Sequence, residues 1–251
     1  MKDAMRENNR AFDKVRPVTI TPDYLQFADG SALIQMGKTR VVATATVDEK
    51  VPAFLKGTGS GWVTAEYAML PRATEKRTVR ERSPGRLSGR TQEIQRLIGR
   101  CLRTVTDLNV LAERTIILDC DVLQADGGTR TASITVACVA LALSLKKLMD
   151  EGMIGQMPLK GLVSAVSVGV VDGEKLLDLD YKEDSNADVD MNVVETDSGQ
   201  IVEIQATAEK KPFTRKDFNS LLKLADMGIK ELIQAQKEVL KEKSLMFMAY
   251  G

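Results

Sequence analysis

The sequence of residues 115–149 is TIILDCDVLQADGGTRTASITVACVALALSLKKLM. Its first part, Thr115–Leu123, is mostly apolar and predicts a buried β-strand. Its last part, Thr129–Met149, is apolar nearly all round, and a helix of that kind is expected at the centre of a molecule. We therefore expect a buried strand, a glycine turn and a central helix to follow one another here.

The residues before this stretch predict short antiparallel strands and one amphipathic helix. Turn residues such as Asp29-Gly30 and Gly37-Lys38 divide alternating apolar runs, which predicts hairpins. The strands are expected to form a meander and are Val18–Ile20, Tyr24–Ala28, Ser31–Gly37, Arg40–Val47 and Trp62–Ala68. The helix is expected over Thr91–Asp107, because apolar residues recur there at helical spacing.

The residues after the central helix predict the same plan a second time. The expected strands are Leu162–Val171, Lys175–Leu179, Asp190–Glu195 and Gln200–Thr207. A closing helix over Thr214–Lys243 begins with a sequence similar to a capping box, in which Asp217 follows Thr214. Strands followed by a helix, twice over, predict an α/β (α+β) fold. We expect one compact domain over residues 1–251, with mixed or antiparallel sheets and helices in two similar halves.

Composition excludes several classes of chemistry and indicates a compartment. The 251 residues include no histidine, which excludes Ser-His-Asp and Cys-His nucleophile systems and His-ligated metals. Three cysteines, Cys101, Cys120 and Cys138, lie far apart among apolar residues, as is typical of free buried thiols in a reducing compartment. Residues 1–16 are polar, and no unbroken apolar run of about eighteen residues occurs. We therefore expect a cytoplasmic protein without a membrane span.

Positive and negative charges are equal in number, 35 of each, but they are separated along the chain. Between Arg72 and Arg103 there are ten basic residues and three glutamates, whereas between Asp172 and Glu203 there are eleven acids and two lysines. A basic block can attract a polyanion, and an acidic block can hold a divalent metal ion that the polyanion also needs. Two solvated faces that attract each other remain the alternative.

The turn Asp126–Thr131, with the sequence Asp-Gly-Gly-Thr-Arg-Thr, is a candidate anion site. Glycine lets the backbone approach a ligand closely, and the first N–H groups of a helix attract anions together with the helix dipole. Arg130 adds a planar fork that suits phosphate oxygens. An ordinary turn with Thr129 as the helix N-cap remains open as the alternative. A second motif, Gly37-Lys38-Thr39, lies between strands and lacks the first glycine of a P-loop, so it predicts only a hairpin turn.

Two further groups of charged residues are candidates for ligand binding, and each has a plain alternative. Loop arginines can form a surface for single-stranded RNA or a merely solvated basic loop; they are Arg72, Arg77, Arg80, Arg82, Arg86 and Arg90. Carboxylates can hold magnesium beside a phosphate or merely solubilise a loop; they are Asp178, Asp180, Asp184, Asp188 and Asp190. Spacing alone does not choose among these aspartates.

A series of motifs spans most of the chain: Arg16-Pro17, Gly37-Lys38-Thr39, Gly61–Tyr67, Met69–Thr74, Gly89-Arg90-Thr91, Glu93–Arg96, Gln124–Thr131, Glu183-Asp184 and Asp188–Asn192. In this order they resemble the ribonuclease PH family. So many ordered motifs are far more specific than any one of them. The resemblance implies the ribonuclease PH fold and a phosphorolytic 3′→5′ exoribonuclease that trims tRNA and other RNA 3′ ends.

The resemblance also implies the ligands, the assembly and the site. Inorganic phosphate is the implied co-substrate, nucleoside diphosphates are the products, and reverse nucleotidyl transfer accompanies the reaction. Mg²⁺ (or Mn²⁺) and a homohexamer built as a trimer of dimers are implied as well. Roles carried over by motif are phosphate binding for Arg90, Gly128, Thr129 and Arg130, catalysis and metal binding for Asp184 and Asp190, and RNA binding for Arg72, Arg77 and Arg80.

One departure from the family and three alternative functions stay open. The run Arg6-Glu7-Asn8-Asn9-Arg10 stands where the family usually has Arg-x-Asp-Gly-Arg, and asparagine tolerates the left-handed turn that glycine would supply. A hydrolytic two-metal exonuclease would explain the aspartates but leave the Gly-Gly-Thr-Arg turn idle. A catalytically silent RNA-binding ring subunit would be expected to lack a phosphate arginine or an aspartate. A non-enzymatic anion-binding protein is the third alternative.

Overall fold

The first of two β-sheets has five strands in the order β1-β2-β3-β5-β4 in this computed structural model, which describes residues 6, 9–81 and 87–245. The strands are β1 (Val18–Pro22), β2 (Gly30–Met36), β3 (Thr39–Asp48), β4 (Trp62–Met69) and β5 (Thr115–Gln124). Neighbouring strands are antiparallel from β1 to β5, whereas β4 runs parallel to β5. A short 3-10 helix, Ala53–Leu55, follows β3.

The second sheet has four antiparallel strands in the order β7-β6-β8-β9. They are β6 (Val163–Val171), β7 (Glu174–Leu177), β8 (Val189–Thr196) and β9 (Ile201–Ala208). The α-helices in the described residues are α1 (Gly89–Thr104), α2 (Thr129–Asp150), α3 (Tyr181–Asn186) and α4 (Arg215–Glu242). The predicted α/β class, with mixed and antiparallel sheets in two halves, is confirmed.

Helix α2 occupies the centre of the molecule, as its sequence predicts. It packs against β2, β3 and β5 of the first sheet and against β6 of the second. Helix α1 contacts β4 and β9, and α4 contacts β1 and β6, so these helices also bridge the two sheets. One hydrophobic cluster includes residues of both sheets and of α1, α2 and α4. This shared core supports the single domain over residues 1–251, which stays a prediction.

Helix α2 is also long and apolar enough to cross a membrane by length and composition, although the sequence lacks an unbroken apolar run. Buried residues make up 83% of its most apolar window, because both sheets cover it. Its apolar surface is therefore accounted for by the core of the fold. The three cysteines are free and buried as expected, and burial raises the pKa of Cys101 and Cys138 to about 12.

One strand prediction and one strand-pairing prediction are wrong. Residues 24–28 form exposed turns rather than a strand, and Phe27 is 97% exposed. The hairpin pairs Val18 with Met36 and Pro22 with Ala32, so residues 23–29 only connect its two strands. Strand β4 does not extend the antiparallel meander, because β5 lies between β3 and β4. Hairpin signals are local, and the insertion of a strand from later in the chain leaves no local signal.

The short helix α3 was not predicted, whereas the capping box of α4 is confirmed. The side chain of Asp180 accepts from the Glu183 N–H, and the Glu183 side chain accepts from the Asp180 N–H, which starts α3. Thr214 and Asp217 make the same reciprocal pair at the start of α4. Asn9 has a φ of 58°, so it does take the left-handed conformation, whereas Glu7 and Asn8 lie outside the described residues.

Candidate active site

A polar cleft of about 650 Å³ opens between the two halves of the molecule. The first half contributes the first turns of α1 and α2, and the second half contributes α3 and strands β8 and β9. Four residues predicted from the sequence line this cleft together: Arg90, Arg130, Asp184 and Asp190. The remaining lining residues include Glu93, Asn192, Gln205, Thr207, Glu209 and Lys210.

The N-terminus of α2 lacks a side-chain cap, which distinguishes it from the other α-helices in the described residues. Ser88, Asp180 and Thr214 cap α1, α3 and α4. The N-cap of α2 is Gly128, which has a φ of 64° and no capping side chain. The expectation that Thr129 caps this helix is wrong, because its hydroxyl accepts instead from the Tyr67 hydroxyl at 3.0 Å. Within the described part of the chain, no side chain therefore accepts from the first N–H groups of α2, which suits an anion.

Gly127 is needed because the turn lies against the chain that starts α3. A Cβ atom at Gly127 would come within 2.5 Å of the Leu179 carbonyl oxygen and 2.6 Å of the Asp180 carbonyl carbon. Gly127 also has a φ of 76°, which disfavours other residues. This close approach joins the glycine turn of the first half directly to the segment that carries Asp184. Neither Gly128 nor Thr129 is itself among the residues that line the cleft.

The glycine turn is held from behind by Arg16 and Thr39. The Arg16 guanidinium donates to the carbonyl oxygen of Asp126 and, at 3.4 Å, to that of Gly127. The Thr39 hydroxyl donates to the Gly127 carbonyl at 2.7 Å and accepts from the Asp126 N–H at 3.0 Å. From the sequence alone, Thr39 is expected only in a hairpin turn, and no role is expected for Arg16. Their positions in the family's ordered motifs were the available signal.

The two arginines of the cleft differ in how firmly they are held. Arg130 Nη1 donates to Gln205 Oε1 at 2.7 Å and lies 3.6 Å from Glu93 Oε1. Gln205 Nε2 in turn donates to Glu93 Oε1 at 2.9 Å. Arg90 is exposed in the first turn of α1. Both guanidinium groups act on Asp184, whose pKa is raised by burial and lowered in part by the charges of Arg90 and Arg130.

Of the carboxylates of Asp184 and Asp190, that of Asp190 is less well compensated by the neighbouring arginines. Burial, followed by the charge of Asp184, raises the pKa of Asp190 to about 6, although Arg130 opposes the shift. One of its oxygens, Oδ2, accepts from Asn192 Nδ2 at 3.3 Å. The other, Oδ1, is buried and has no hydrogen-bond partner within the described part of the chain. A buried acceptor in this state favours a cation or a donor from a ligand.

The donor set fits a magnesium ion that also binds substrate. No group of three or more acidic or cysteine side chains that could hold a metal occurs among the described residues. Asp184 and Asp190 supply two carboxylates, and Asp190 Oδ1 is an oxygen that no described residue bonds. Mg²⁺ commonly uses one or two carboxylates together with waters and substrate phosphate oxygens, rather than a cage made only of protein ligands. Asp184 and Asp190 are therefore the residues that could hold it.

The predicted RNA-binding arginines lie outside the cleft. Arg80 lines a neighbouring cavity of about 750 Å³, which Arg90 and Tyr67 also line. Arg72 Nη1 donates to the carbonyl oxygen of Glu75 at 2.8 Å, and Arg77 is exposed. The other two loop arginines, Arg82 and Arg86, lie outside the described residues. Arg90 therefore links the polar cleft with the cavity on the side of the basic loop.

Comparisons with known proteins identify a family. Residues 14–146 match domain 1 of the 3′ exoribonuclease family RNase PH, and residues 161–226 match domain 2. A protein named ribonuclease PH from Moorella thermoacetica is 61% identical over 236 residues, which are 94% of each chain.

Solved structures share the fold at low sequence identity. The Archaeoglobus fulgidus exosome with RNA bound to the active site has a TM-score of 0.77 and 24% identity, with 97% of this chain and 94% of that chain covered. An archaeal exosome core has a TM-score of 0.76 and 22% identity, over 93% of this chain and 91% of that one. Rice (Oryza sativa) Rrp46 has a TM-score of 0.75 and 20% identity, over 94% and 100% of the two chains.

Proposed function

The chain belongs to the ribonuclease PH family of 3′ exoribonucleases, and from this premise we propose that its polar cleft is the site of phosphorolysis. The enzyme is a phosphorolytic 3′→5′ exoribonuclease and tRNA nucleotidyltransferase. Inorganic phosphate is its co-substrate, and RNA with a free 3′ end is its substrate. The observation that carries the assignment of the site is the uncapped N-terminus of α2, whose second residue, Arg130, lines the cleft together with Arg90, Asp184 and Asp190.

The reaction joins two anions, and the cleft supplies the charges that offset their repulsion. The N–H groups at the start of α2 and the guanidinium of Arg130 bind inorganic phosphate, and Arg90 binds it from the first turn of α1. An oxygen of this phosphate attacks the terminal phosphorus, and the bond from that phosphorus to the preceding 3′ oxygen breaks. The 3′ oxygen takes up the proton that the attacking phosphate loses, so the shortened RNA leaves with a free 3′ hydroxyl and a nucleoside diphosphate is released. Positioning and charge stabilisation account for most of the catalysis in such phosphoryl transfers.

Asp184 and Asp190 would hold Mg²⁺ or Mn²⁺ beside the reacting phosphates. The bound ion would offset negative charge on the phosphate oxygens in the transition state. Without the ion, Arg90 and Arg130 oppose the raised pKa of Asp184, and Arg130 opposes that of Asp190. Because the nucleophile is phosphate rather than water, the protein needs no strong general base. A chain without histidine is therefore equipped for this chemistry.

A hydrolytic two-metal exonuclease and a silent ring subunit fit the cleft less well. A hydrolase gives no reason for the α2 N-terminus to lack a cap beside Arg130. A silent subunit is expected to have lost one of the charged residues, whereas Arg90, Arg130, Asp184 and Asp190 all line the cleft.

One assay separates these functions. The protein is incubated with a 3′-extended tRNA and Mg²⁺, with and without inorganic phosphate, and the released nucleotides are identified. We expect nucleoside diphosphates that form only when phosphate is present. Nucleoside monophosphates, or activity indifferent to phosphate, would establish hydrolysis. No release under either condition would establish a silent subunit.

The basic loop and the assembly complete the proposal. Arg72, Arg77 and Arg80 guide the RNA, so replacing each by alanine should weaken RNA binding and make it less sensitive to salt.

The chain forms a homohexamer, a trimer of dimers, in the cytoplasm, as the family resemblance implies. Size-exclusion chromatography with light scattering at micromolar concentration should then give a mass about six times that of the 27.5 kDa chain. A monomer at micromolar concentration would contradict the proposed assembly.

A further inference from the structure

A buried ion pair lies directly behind the glycine turn. The guanidinium of Arg16 meets the carboxylate of Asp178 at two points, Nη2 to Oδ1 at 2.7 Å and Nε to Oδ2 at 2.8 Å. The backbone N–H of Arg16 also donates to Asp178 Oδ2 at 2.8 Å. Asp178 is completely buried, Arg16 is nearly so, and neither residue lines the polar cleft. The pair is therefore outside the machinery described above.

The same guanidinium joins this ion pair to the glycine turn. Arg16 donates to the carbonyl oxygens of Asp126 and Gly127, and Thr39 donates to the second of these carbonyls. Those carbonyls belong to the peptide units just before the uncapped start of α2. A peptide unit whose carbonyl is fixed cannot rotate, so its neighbouring N–H groups keep a fixed direction. The carboxylate of Asp178 holds the Arg16 guanidinium in the position from which it makes these contacts.

Asp178 is connected on its other side to the helix that carries Asp184. Arg6 donates to the carbonyl oxygens of Leu177 at 2.6 Å and Asp178 at 3.0 Å, and it forms an ion pair with Glu183. Arg10 Nη2 donates to the Asp178 carbonyl at 2.9 Å and lies 3.5 Å from Glu183 Oε2. Glu183 closes the capping box of α3 and immediately precedes Asp184.

We propose that Asp178, acting through Arg16, is a positioning residue that fixes the glycine turn and Asp184 relative to each other. The proposal rests on the function proposed above, because it concerns how phosphate meets the carboxylates. Loss of the Asp178 charge leaves Arg16 buried without its partner and weakens the contacts by which Arg16 holds the carbonyls of Asp126 and Gly127. A displacement of about 1 Å in a positioning group can reduce catalysis about 100-fold. Phosphate binding should suffer first, because the turn is the phosphate site.

The test compares three variants by their KM values for phosphate and for RNA. Asp178→Asn keeps the shape and removes the charge, and we expect its phosphate KM to rise about 10-fold or more, with the RNA KM changed less than about 3-fold. Asp197→Asn is the matched control. The Asp197 side chain is 3% exposed and pairs with Lys237 at 3.3 Å, away from the polar cleft. Its phosphate KM should equal that of the wild type even if its stability falls.

Thr39→Val decides the matter if Asp178→Asn does not fold. It removes the hydroxyl that donates to Gly127 at nearly constant volume, so the phosphate KM should rise about 3-fold or more. An unchanged phosphate KM in the folded Asp178→Asn variant, or in Thr39→Val where the former does not fold, would overturn the proposal. An equal rise in Asp197→Asn would overturn it as well. Phosphate-independent release by the wild-type protein would instead overturn the proposed function, so the two failures are distinguishable.

Discussion

Asp178, Asp184 and Asp190 lie within thirteen residues of sequence. The environment of Asp178 is the opposite of the environment that Asp184 and Asp190 share. Asp178 is completely buried, and the charges and hydrogen bonds of Arg16 and Arg10 outweigh the burial that would raise its pKa, so that this pKa is lowered. Asp190 is buried less completely, yet burial and the charge of Asp184 raise its pKa to about 6. The more deeply buried carboxyl, that of Asp178, is thus the more acidic one. The direction of each pKa shift is set by how well neighbouring positive charges compensate the carboxylate, rather than by how deeply it is buried.

The difference indicates which aspartate supports the site and which performs its chemistry. A buried carboxylate whose negative charge is compensated by neighbouring positive charges contributes to a defined structure. A carboxylate with a raised pKa and an oxygen without a partner is held at a cost, and such groups concentrate at functional sites. We therefore propose that Asp178 supports the site and that Asp184 and Asp190 perform its chemistry.

The largest expected effect comes from removing a charge in the cleft. Asp184→Asn or Asp190→Asn should lower the turnover rate by about 1000-fold, because charge stabilisation of the transferring phosphate is lost. Steady-state release of nucleoside diphosphate measures the effect. Asp188→Asn is the matched control: Asp188 lies beside β8 and 3.9 Å from Lys210, but it does not line the cleft. Near-normal turnover in either cleft variant would refute the assignment.

The second largest effect is on stability and concerns Asp178. Asp178→Asn should lower the free energy of unfolding by about 3 kcal/mol, because it leaves Arg16 buried without its partner. Asp190→Asn should lower it little or not at all. Urea denaturation of both variants at neutral pH measures the contrast. Equal losses of stability in the two variants would remove the distinction between Asp178 and Asp190.

Arg90 offers a smaller effect, which falls on the co-substrate. Arg90→Ala should raise the phosphate KM about 10-fold, because one charge-assisted contact to the anion is lost. The affinity for RNA, measured by fluorescence anisotropy without phosphate, should stay within about 3-fold of the wild type. A large loss of RNA affinity with an unchanged phosphate KM would show that Arg90 serves the RNA instead.

The smallest effect is the pH dependence of stability. The pKa of Asp190 is raised to about 6 in the folded state. Its favourable contribution to the stability of the fold is therefore present below the ordinary pKa of an aspartate, and it is lost as the pH rises through 6. Asn resembles the protonated side chain, so Asp190→Asn should gain about 1 to 2 kcal/mol over the wild type between pH 4.5 and 7.5. Asp178 has the opposite sign, since its stabilisation is lost as the pH falls through its lowered pKa.

Urea denaturation in the presence of EDTA checks this pH dependence. The chelator is needed because a bound cation would lower the pKa of Asp190 and hide the effect. A difference between wild type and Asp190→Asn that does not vary with pH would contradict the raised pKa.

Sequence periodicity was sufficient for the elements that have long uniform patterns. Helix α2 begins at the predicted Thr129, and β5 and β6 match their predictions to within one residue at each end. Prediction failed where distant segments meet. The parallel pairing of β4 with β5 and the turns at residues 24–28 depend on which strand lies alongside, and the local pattern does not contain that information.

The candidate site shows the same division. Arg90, Arg130, Asp184 and Asp190 were proposed by family motif, and the structure brings them into one cleft. The supporting ion pair was missed, because Arg16 and Asp178 are 162 residues apart. A local rule offered Thr129 as a possible N-cap, whereas its hydroxyl accepts a hydrogen bond from Tyr67 on β4. Contacts of this kind arise only when segments that are distant in the sequence pack together.

Isotopic labelling shows directly whether the phosphate in the cleft is itself the nucleophile. The wild-type enzyme is given a 3′-extended RNA and ³²P-labelled inorganic phosphate, and the products are separated by charge. The account predicts label in the β-phosphate of the released nucleoside diphosphates, and no such labelled product with Asp190→Asn. Unlabelled nucleoside monophosphates as the only products would contradict it.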